Sequence, residues 1–314
     1  MRGTAFVSAL LLLWPMTACQ STVPAEDQPW QRIWDTRAQR FITTTDLVDQ
    51  LAAARFRLLG EVHDNANHHV LRASLITRMV TKGVHPAVAF EQFDIAHDGA
   101  LASTQSRSVD AEQLAAAGEL DRKSWRWPLH KPLVEAALDA KLPIRAANLG
   151  RAELLPVVRR GIGSLPDAPW RRRFDAARWT QGDEAALRED IVESHCHALP
   201  ESAIPSLMLA QRVRDAAMAE ALVSAATDDG AILIAGNGHT RNDLGVPLYL
   251  HARGLRDADA RVVSVGFIEM APQEARVADF PRNVLSGRGE FDYVWFTAPA
   301  EREDPCAGLQ KVSR

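Results

Sequence analysis

Short apolar runs bounded by Gly and Pro recur along most of the chain, separated by longer amphipathic stretches, a pattern that predicts parallel strands alternating with helices. The strand candidates are Phe56 to Leu59, Ala87 to Phe90, Ile144 to Ala147, Ala231 to Ala235 and Arg261 to Phe267, with Asp292 to Phe296 as an edge strand. Between the first two, Leu71, Leu75, Ile76, Met79 and Val80 fall on one face of a helix over Ala66 to Thr81, which Asp64 or Asn65 would cap. From Gly150 to Asp229 no strand pattern occurs, and the Ala-, Arg- and Leu-rich sequence has helical spacing. This interval predicts an inserted helical subdomain over roughly 151–226. Its last helix, starting near Ser202, carries Leu207, Met208, Val213 and Met218 as core packing. The expected fold is α/β, a mostly parallel sheet flanked by helices, with that helical insertion.

The N-terminus follows a different pattern. Arg2 supplies a positive charge, Ala5 to Trp14 form an apolar run, and Met16-Thr17-Ala18-Cys19 closes it, which reads as an export signal. A run of about ten residues is too short to cross a bilayer as a helix. Small residues followed by Cys match the bacterial lipobox, apart from Met16 where Leu, Val or Ile is usual. Residues 1–18 are thus expected to be a lipoprotein signal peptide and Cys19 the acylated mature N-terminus, the alternative being ordinary cleavage beside an incidental Cys. Gln20, rather than Asp, directs the expectation to the outer membrane, and several acyl chains on one residue anchor stably. The polar, Pro-containing residues 19–30 make a tether, and residues 31–314 the folded part.

Composition narrows the class. The 314 residues are 46% apolar and 24% charged with 18 Gly and 17 Pro, which excludes a disordered tail, a collagen repeat or a coiled coil. Lys plus Arg (36) against Asp plus Glu (40) gives a net charge of −4 with no long basic block, so nucleic acid is not an expected partner. Cys196 and Cys306 lie in a chain bound for a compartment that permits disulfides, but sequence leaves their pairing open. The chain contains no CxxC or CxxCH, which excludes covalent c-type haem attachment and a redox dithiol.

Each strand candidate is followed by residues with something to offer a ligand. Leu59 leads to Gly60-Glu61-Val62-His63, Phe90 to Glu91-Gln92, Ala147 to Asn148, Ala235 to Gly236-Asn237-Gly238-His239, and Phe267 to Glu269. Ligands of open parallel sheets bind outside the carboxyl ends of the strands, so these residues are expected on one rim. In both Gly-x-x-His segments Gly allows a sharp turn and His projects near the next helix start, where a neutral imidazole is favoured. Neutral imidazole beside Glu61 and Glu91 suits a hydrolytic metal (Mn, Co or Zn) held by Glu61, His63, Glu91 and His239, or a metal-free base that activates water.

Other histidines carry less information. His68 and His69 sit in the first turns of the following helix and read as supporting residues. His195-Cys196-His197 resembles a soft-metal cluster but equally reads as a helix approach. His85, His130 and His251 stand alone and receive no role. Of the two tyrosines, Tyr249 lies within reach of the rim and is a candidate ligand for haem iron, as are His63, His239, His195 and His197. Trp125, Trp127 and Leu129 could line an apolar cleft.

Five segments together carry a resemblance. LLGEVHDNANHH (Leu58 to His69), VAFEQFD (Val88 to Asp94), His195-Cys196 before Leu199-Pro200, AQRVRDAAMA (Ala210 to Ala219) and GNGHTRNDLGVPLYL (Gly236 to Leu250) resemble the ChaN family of haem-binding bacterial lipoproteins, over about Leu47 to Phe296. ChaN-like domains are grouped with Tiki, TraB and erythromycin-esterase-like proteins. The resemblance implies an α/β fold with the two Gly-x-x-His motifs facing each other, through Gly60, Glu61, His63, Glu91, Gly236 and His239. It implies haem as ligand and a homodimer around it, and hydrolytic machinery in some relatives, including metal-dependent proteolysis in Tiki proteins.

The leading expectation is therefore a haem-binding envelope lipoprotein in haem or iron uptake, with a second copy of the chain, the lipid surface and an outer-membrane haem receptor as partners. The alternative is a metal-dependent or metal-free hydrolase in which Glu61, His63, Glu91 and His239 activate water.

Overall fold

The computed structural model describes residues 32–255, 258–270, 289–304 and 306–307; the signal peptide, Cys19 and the tether lie outside the described residues. Eight strands form one sheet: β1 (Ile33–Asp35), β2 (Arg40–Ile42), β3 (Phe56–Leu59), β4 (Ala87–Asp94), β5 (Ile144–Asn148), β6 (Ala231–Ile234), β7 (Val262–Glu269) and β8 (Tyr293–Thr297). The order across the sheet is β2-β1-β8-β7-β3-β6-β4-β5. From β8 to β5 every neighbour runs parallel, while the β1–β2 hairpin adds to β8 antiparallel.

Eleven helices are described: α1 (Thr44–Ala52), α2 (Ala66–Thr81), α3 (Asp98–Gln105), α4 (Ala111–Ala117), α5 (Lys131–Asp139), α6 (Arg151–Arg160), α7 (Arg171–Ala176), α8 (Gln181–Ser194), α9 (Ile204–Ala225), α10 (Asn237–Thr240) and α11 (Val246–Leu250). None of them is long and apolar enough to cross a membrane.

Side chains alternate between the two faces of a strand, and here both faces are covered, so the central strands are apolar throughout. Leu59, Val88, Phe90, Ile232 and Ile234 pack with α1, α2, α4 and α5. The intervening Phe56, Leu58, Ala87, Ala89, Ala231 and Leu233 pack with α6, α9 and α11. The interval between β5 and β6 is helical, as its spacing predicts, and Val213 and Met218 of α9 are buried against the sheet. Leu207 and Met208 instead join a small cluster with α8 and Leu244.

Two details depart from the sequence reading. The last strand is internal: Ile33 and Trp34 pair with Trp295 and Val294, and the edges are β2 and β5. The β1–β2 hairpin that covers it consists of three-residue strands, too short to show a period of two. Strand β4 also runs on through Glu91 and Gln92 to Asp94, beyond the apolar run that signals it.

Candidate functional site: two interlocked histidine turns

The two Gly-x-x-His segments meet at the carboxyl ends of β3 and β6, strands that pair in register. Gly60 sits so close to the second segment that a Cβ there would lie 2.1 Å from Asn237 Oδ1 and 2.7 Å from Thr240 Oγ1. A Cβ on Gly236 would lie 2.9 Å from His63 Cε1 and 3.1 Å from His63 Nε2. Both glycines are thus required by close approach, which bulkier residues would prevent. The Asn237 backbone N–H donates to the Glu61 carbonyl (3.0 Å), and the Asn237 side chain brackets Phe267 of β7, donating to its carbonyl at 2.7 Å. His63 and His239 therefore stand on one rim, as the spacing predicts.

Glu61, 2% exposed, is the hub of the first half. Its Oε1 accepts from His63 Nδ1 (2.6 Å) and Gln92 Nε2 (3.3 Å), and faces His130 Nε2 at 3.0 Å. Its Oε2 pairs with Arg72 and lies 3.1 Å from His69 Nδ1. Backbone carbonyls, which only accept, fix two tautomers. His69 Nε2–H donates to the His63 carbonyl (3.1 Å) and leaves Nδ1 bare, accepting from Arg72 at 2.8 Å. His130 Nδ1–H donates to the Trp125 carbonyl (3.1 Å) and leaves Nε2 bare toward Glu61. Burial holds His69 down to about 4 and His130 down to about 2, the nearby charges of His69 and Arg72 adding to the fall at His130. His68 is a staple: its Nδ1 accepts from Val62 N–H (3.0 Å) and its Nε2 meets Thr297 Oγ1 (2.6 Å), tying the turn to β8.

The second half is built around His239, 7% exposed. Its Nδ1 is 2.6 Å from Asp215 Oδ1 and 3.0 Å from Gln211 Nε2, both on α9 one turn apart. Its Nε2 is 3.4 Å from Glu91 Oε1, while Glu91 Oε2 accepts the Gly236 N–H at 2.7 Å. Burial alone would lower the imidazole, but the Glu91 and Asp215 charges outweigh it and raise His239 to about 10. The neutral His239 expected from a helix N-terminus is therefore corrected: α10 is a single turn, and two buried carboxylates overrule its dipole. Burial likewise raises Asp215 to about 6, whereas at Glu91 His239 and the Gly236 N–H win over burial and hold the carboxyl low.

His63 is the open group of the pair of histidine turns, its side chain 48% exposed against 9% for His239 and 0% for Glu61 and His69. Its ring meets Trp125 edge-on, centroids 5.1 Å apart. Beside it Arg126, 61% exposed, pairs with Asp64 at 3.2 Å, and Arg302 reaches the other oxygen of Asp64 at 3.2 Å. Trp127 donates through Nε1 to Glu112 (2.9 Å).

Three sequence expectations change. Tyr249 is 0% exposed, packed in the core against α9, so it has no access to haem iron; its spacing put it near the rim, but α11 turns it inward. His195 and His197 flank a cysteine that is oxidised: Cys196 and Cys306 form a disulfide with Cα atoms 5.5 Å apart, leaving no thiolate for a soft metal. His195 closes α8, its Nδ1 against the Ile191 carbonyl at 2.7 Å. The donor atoms that gather within 4.8 Å among the described residues belong to Glu61, His69 and His130, a set that shares only Glu61 with the expected metal ligands. His130, isolated in sequence, offered no signal. Asp215 did: a carboxylate amid the Ala- and Val-rich face of α9, four residues after Gln211, marks a buried polar pair.

A mostly parallel sheet that gathers two interlocked Gly-x-x-His turns and buried carboxylates at its carboxyl edge defines an α/β protein with a polar rim at the place where open parallel sheets take ligands. The family model described as haem-binding uptake, Tiki superfamily, ChaN matches residues 47–250, and the chain belongs to that family. Among solved structures it is similar to a Campylobacter jejuni ChaN described as binding haem cofacially, with 23% identity, a TM-score of 0.64, and coverage of 84% of this chain and 95% of that one. That likeness establishes the fold. An erythromycin esterase, EreC, is more distant, at 14% identity and a TM-score of 0.39, covering 85% of this chain and 82% of its own. A type III effector, HopBA1, shares 15% identity with a TM-score of 0.38, covering 71% and 81%. Comparison with curated protein sequences gives no significant match.

Proposed function

We propose that this chain is a haem-binding lipoprotein of the cell envelope that holds haem at the rim during haem or iron uptake, with His63 as the iron ligand. Membership of a haem-binding uptake family supports the ligand class. The observation that carries the residue assignment is His63 itself, an imidazole half exposed at the rim with Nδ1 held by Glu61. A carboxylate on Nδ1 fixes the tautomer that presents Nε2 as a lone pair to a metal. Both tyrosines are buried, Tyr249 at 0% and Tyr293 at 8%, which leaves imidazole as the fitting donor. Bound haem would supply an iron that an imidazole nitrogen such as that of His63 could hold. Trp125 offers an aromatic edge beside the ring plane, and Arg126 and Arg302 offer cations for the propionates.

Anchoring at acylated Cys19, outer-membrane location, a homodimer closing over haem and delivery by an outer-membrane receptor complete the reading. The sequence of the first twenty residues supports the anchor, and the cofacial haem of the Campylobacter protein supports the dimer.

A visible-absorbance haem titration of the chain from Ser21 onward tests the assignment. Saturable binding is expected, with His63→Ala shifting the Soret band and weakening affinity at least about tenfold, and Tyr249→Phe leaving both unchanged. Non-saturable binding indifferent to His63→Ala would refute it and turn attention to hydrolysis at the same rim. Membrane fractionation of wild type against Cys19→Ser tests the anchor; equal membrane association of the two would reject it.

A further inference from the structure

After β8 the chain stays at the carboxyl edge of the sheet. Residues 298–304 are fastened to the His63 half of the rim by one carboxylate. Glu269 Oε1, at the end of β7, accepts from the Ala300 N–H (2.9 Å), from Asn65 Nδ2 (2.6 Å) and from Arg302. Asn65 Nδ2 also donates to the Ala298 carbonyl (3.0 Å), so the residue that caps α2 holds the segment at its start. Arg302 reaches on to Asp64 Oδ1 (3.2 Å), the neighbour of His63 in the chain. Both of these contacts run through Nη2, which leaves Nε and Nη1 of Arg302 without a partner among the described residues and open to a further carboxylate.

The far end is held on the other half. Cys306 is bonded to Cys196, just past the end of α8. Helix α8 flanks the His239 turn, since its Asp190 accepts from Arg241 (3.1 Å), two residues beyond that histidine. The segment therefore joins the two halves of the rim, by polar contacts at one end and a covalent bond at the other. The α8 terminus is shaped for this bond. Cys196 and His197 have φ of 57° and 56°, and their N–H groups close the helix on the Glu193 (2.8 Å) and Val192 (2.9 Å) carbonyls. Glycine is usual in that left-handed region after a helix, and two successive residues with side chains persist there only where their surroundings hold them. Both cysteines are half-buried, within reach of a thiol from solution.

We propose that residues 298–304 form a strap over the haem rim, latched by the Cys196–Cys306 disulfide, and that the thiol state of this pair regulates how long haem is retained. The inference rests on the haem reading above. While the latch is closed, Arg302 stays beside His63 with donors free for a propionate. A dithiol reductant opens it by thiol–disulfide exchange: one thiolate attacks a sulfur of the pair, and the second thiol resolves the mixed disulfide. Two electrons and two protons pass to Cys196 and Cys306 as the reductant becomes a disulfide. The strap is then held only by contacts at the surface, where ion pairs contribute little, and haem loses a cation at the rim.

Hydrogen exchange on the haem-free chain from Ser21 onward compares wild type with Cys196→Ser/Cys306→Ser. The Ala300 amide should exchange at least about tenfold faster in the variant, relative to the Ala146 amide of β5. Haem release to apomyoglobin is then timed for wild type, the double serine variant and Arg302→Ala. Serine leaves no thiolate to bind iron. Each variant should release haem at least about tenfold faster, and the triple variant no faster than the double one, because both changes act through one strap. Equal exchange at Ala300, unchanged haem release, or additive effects in the triple variant would each overturn the proposal. A wild type that never binds haem saturably would refute the haem reading and the retention role with it, and it is told apart because the exchange comparison needs no haem. Should the serine variant fail to fold, reduction of the folded wild type by a phosphine, with the thiols then alkylated, gives the same two comparisons.

Discussion

Replacing Glu61 by Gln keeps the size and planarity of the side chain and removes one charge at the centre of a buried network. The guanidinium of Arg72, 0% exposed, then loses its paired anion, and two of its remaining contacts are backbone carbonyls, Leu59 and His68. Breaking a buried ion pair by removing one partner costs about 3–5 kcal/mol, because an uncompensated charge stays inside. The His63 Nδ1–H also loses a charged acceptor at 2.6 Å, worth roughly a further 1 kcal/mol with a half-exposed partner. A total near 4–6 kcal/mol in a domain of this size corresponds to a fall in Tm of about 8–24 °C. The assay is thermal unfolding by circular dichroism, with a chelator present so that bound metal contributes nothing to either protein. A loss below about 1 kcal/mol would refute the reasoning, since it would mean that Arg72 is solvated or otherwise paired in the folded chain. Restoration by the double variant Glu61→Gln, Arg72→Met is the matching expectation, because replacing both partners leaves no stranded charge.

Stability should also depend on alkaline pH through His239. Its folded pKa, raised to about 10, stands above the ordinary 6.5, so its contribution is fully present below pH 6.5 and is lost as pH rises toward 10. Urea unfolding across that window should show falling stability that His239→Gln flattens; parallel curves for the two proteins would contradict the caged imidazolium. Gly60→Ala should cost at least about 2 kcal/mol and disturb both turns, since its Cβ meets Asn237 and Thr240; a neutral effect on Tm would show that the turns do not interlock. Reducing the disulfide between Cys196 and Cys306, 110 residues apart, should lower stability by up to about 4 kcal/mol, read by melting with and without reductant.

Local signals located the parallel strands, helix α2 with a cap at Asp64 or Asn65 that the structure assigns to Asn65, and the two Gly-x-x-His turns at strand ends: apolar runs, a helical stripe, glycine beside histidine. It placed His63 and His239 on a common rim for the same reason, since the ends of parallel strands share one side of a sheet. What each histidine does was decided elsewhere. Asp215 lies 24 residues before His239, and His130 lies 69 residues from Glu61, separations across which chain spacing carries no contact information. Tyr249 shows the converse: ten residues from His239 in sequence, it is turned into the core by the apolar face of α11. Strand ends bring chemistry to an edge, and only the packing of α2, α5 and α9 around that edge sets which groups are buried, paired or exposed. Burial and pairing fix protonation, so sequence specified the residues of the rim while tertiary structure set their charges.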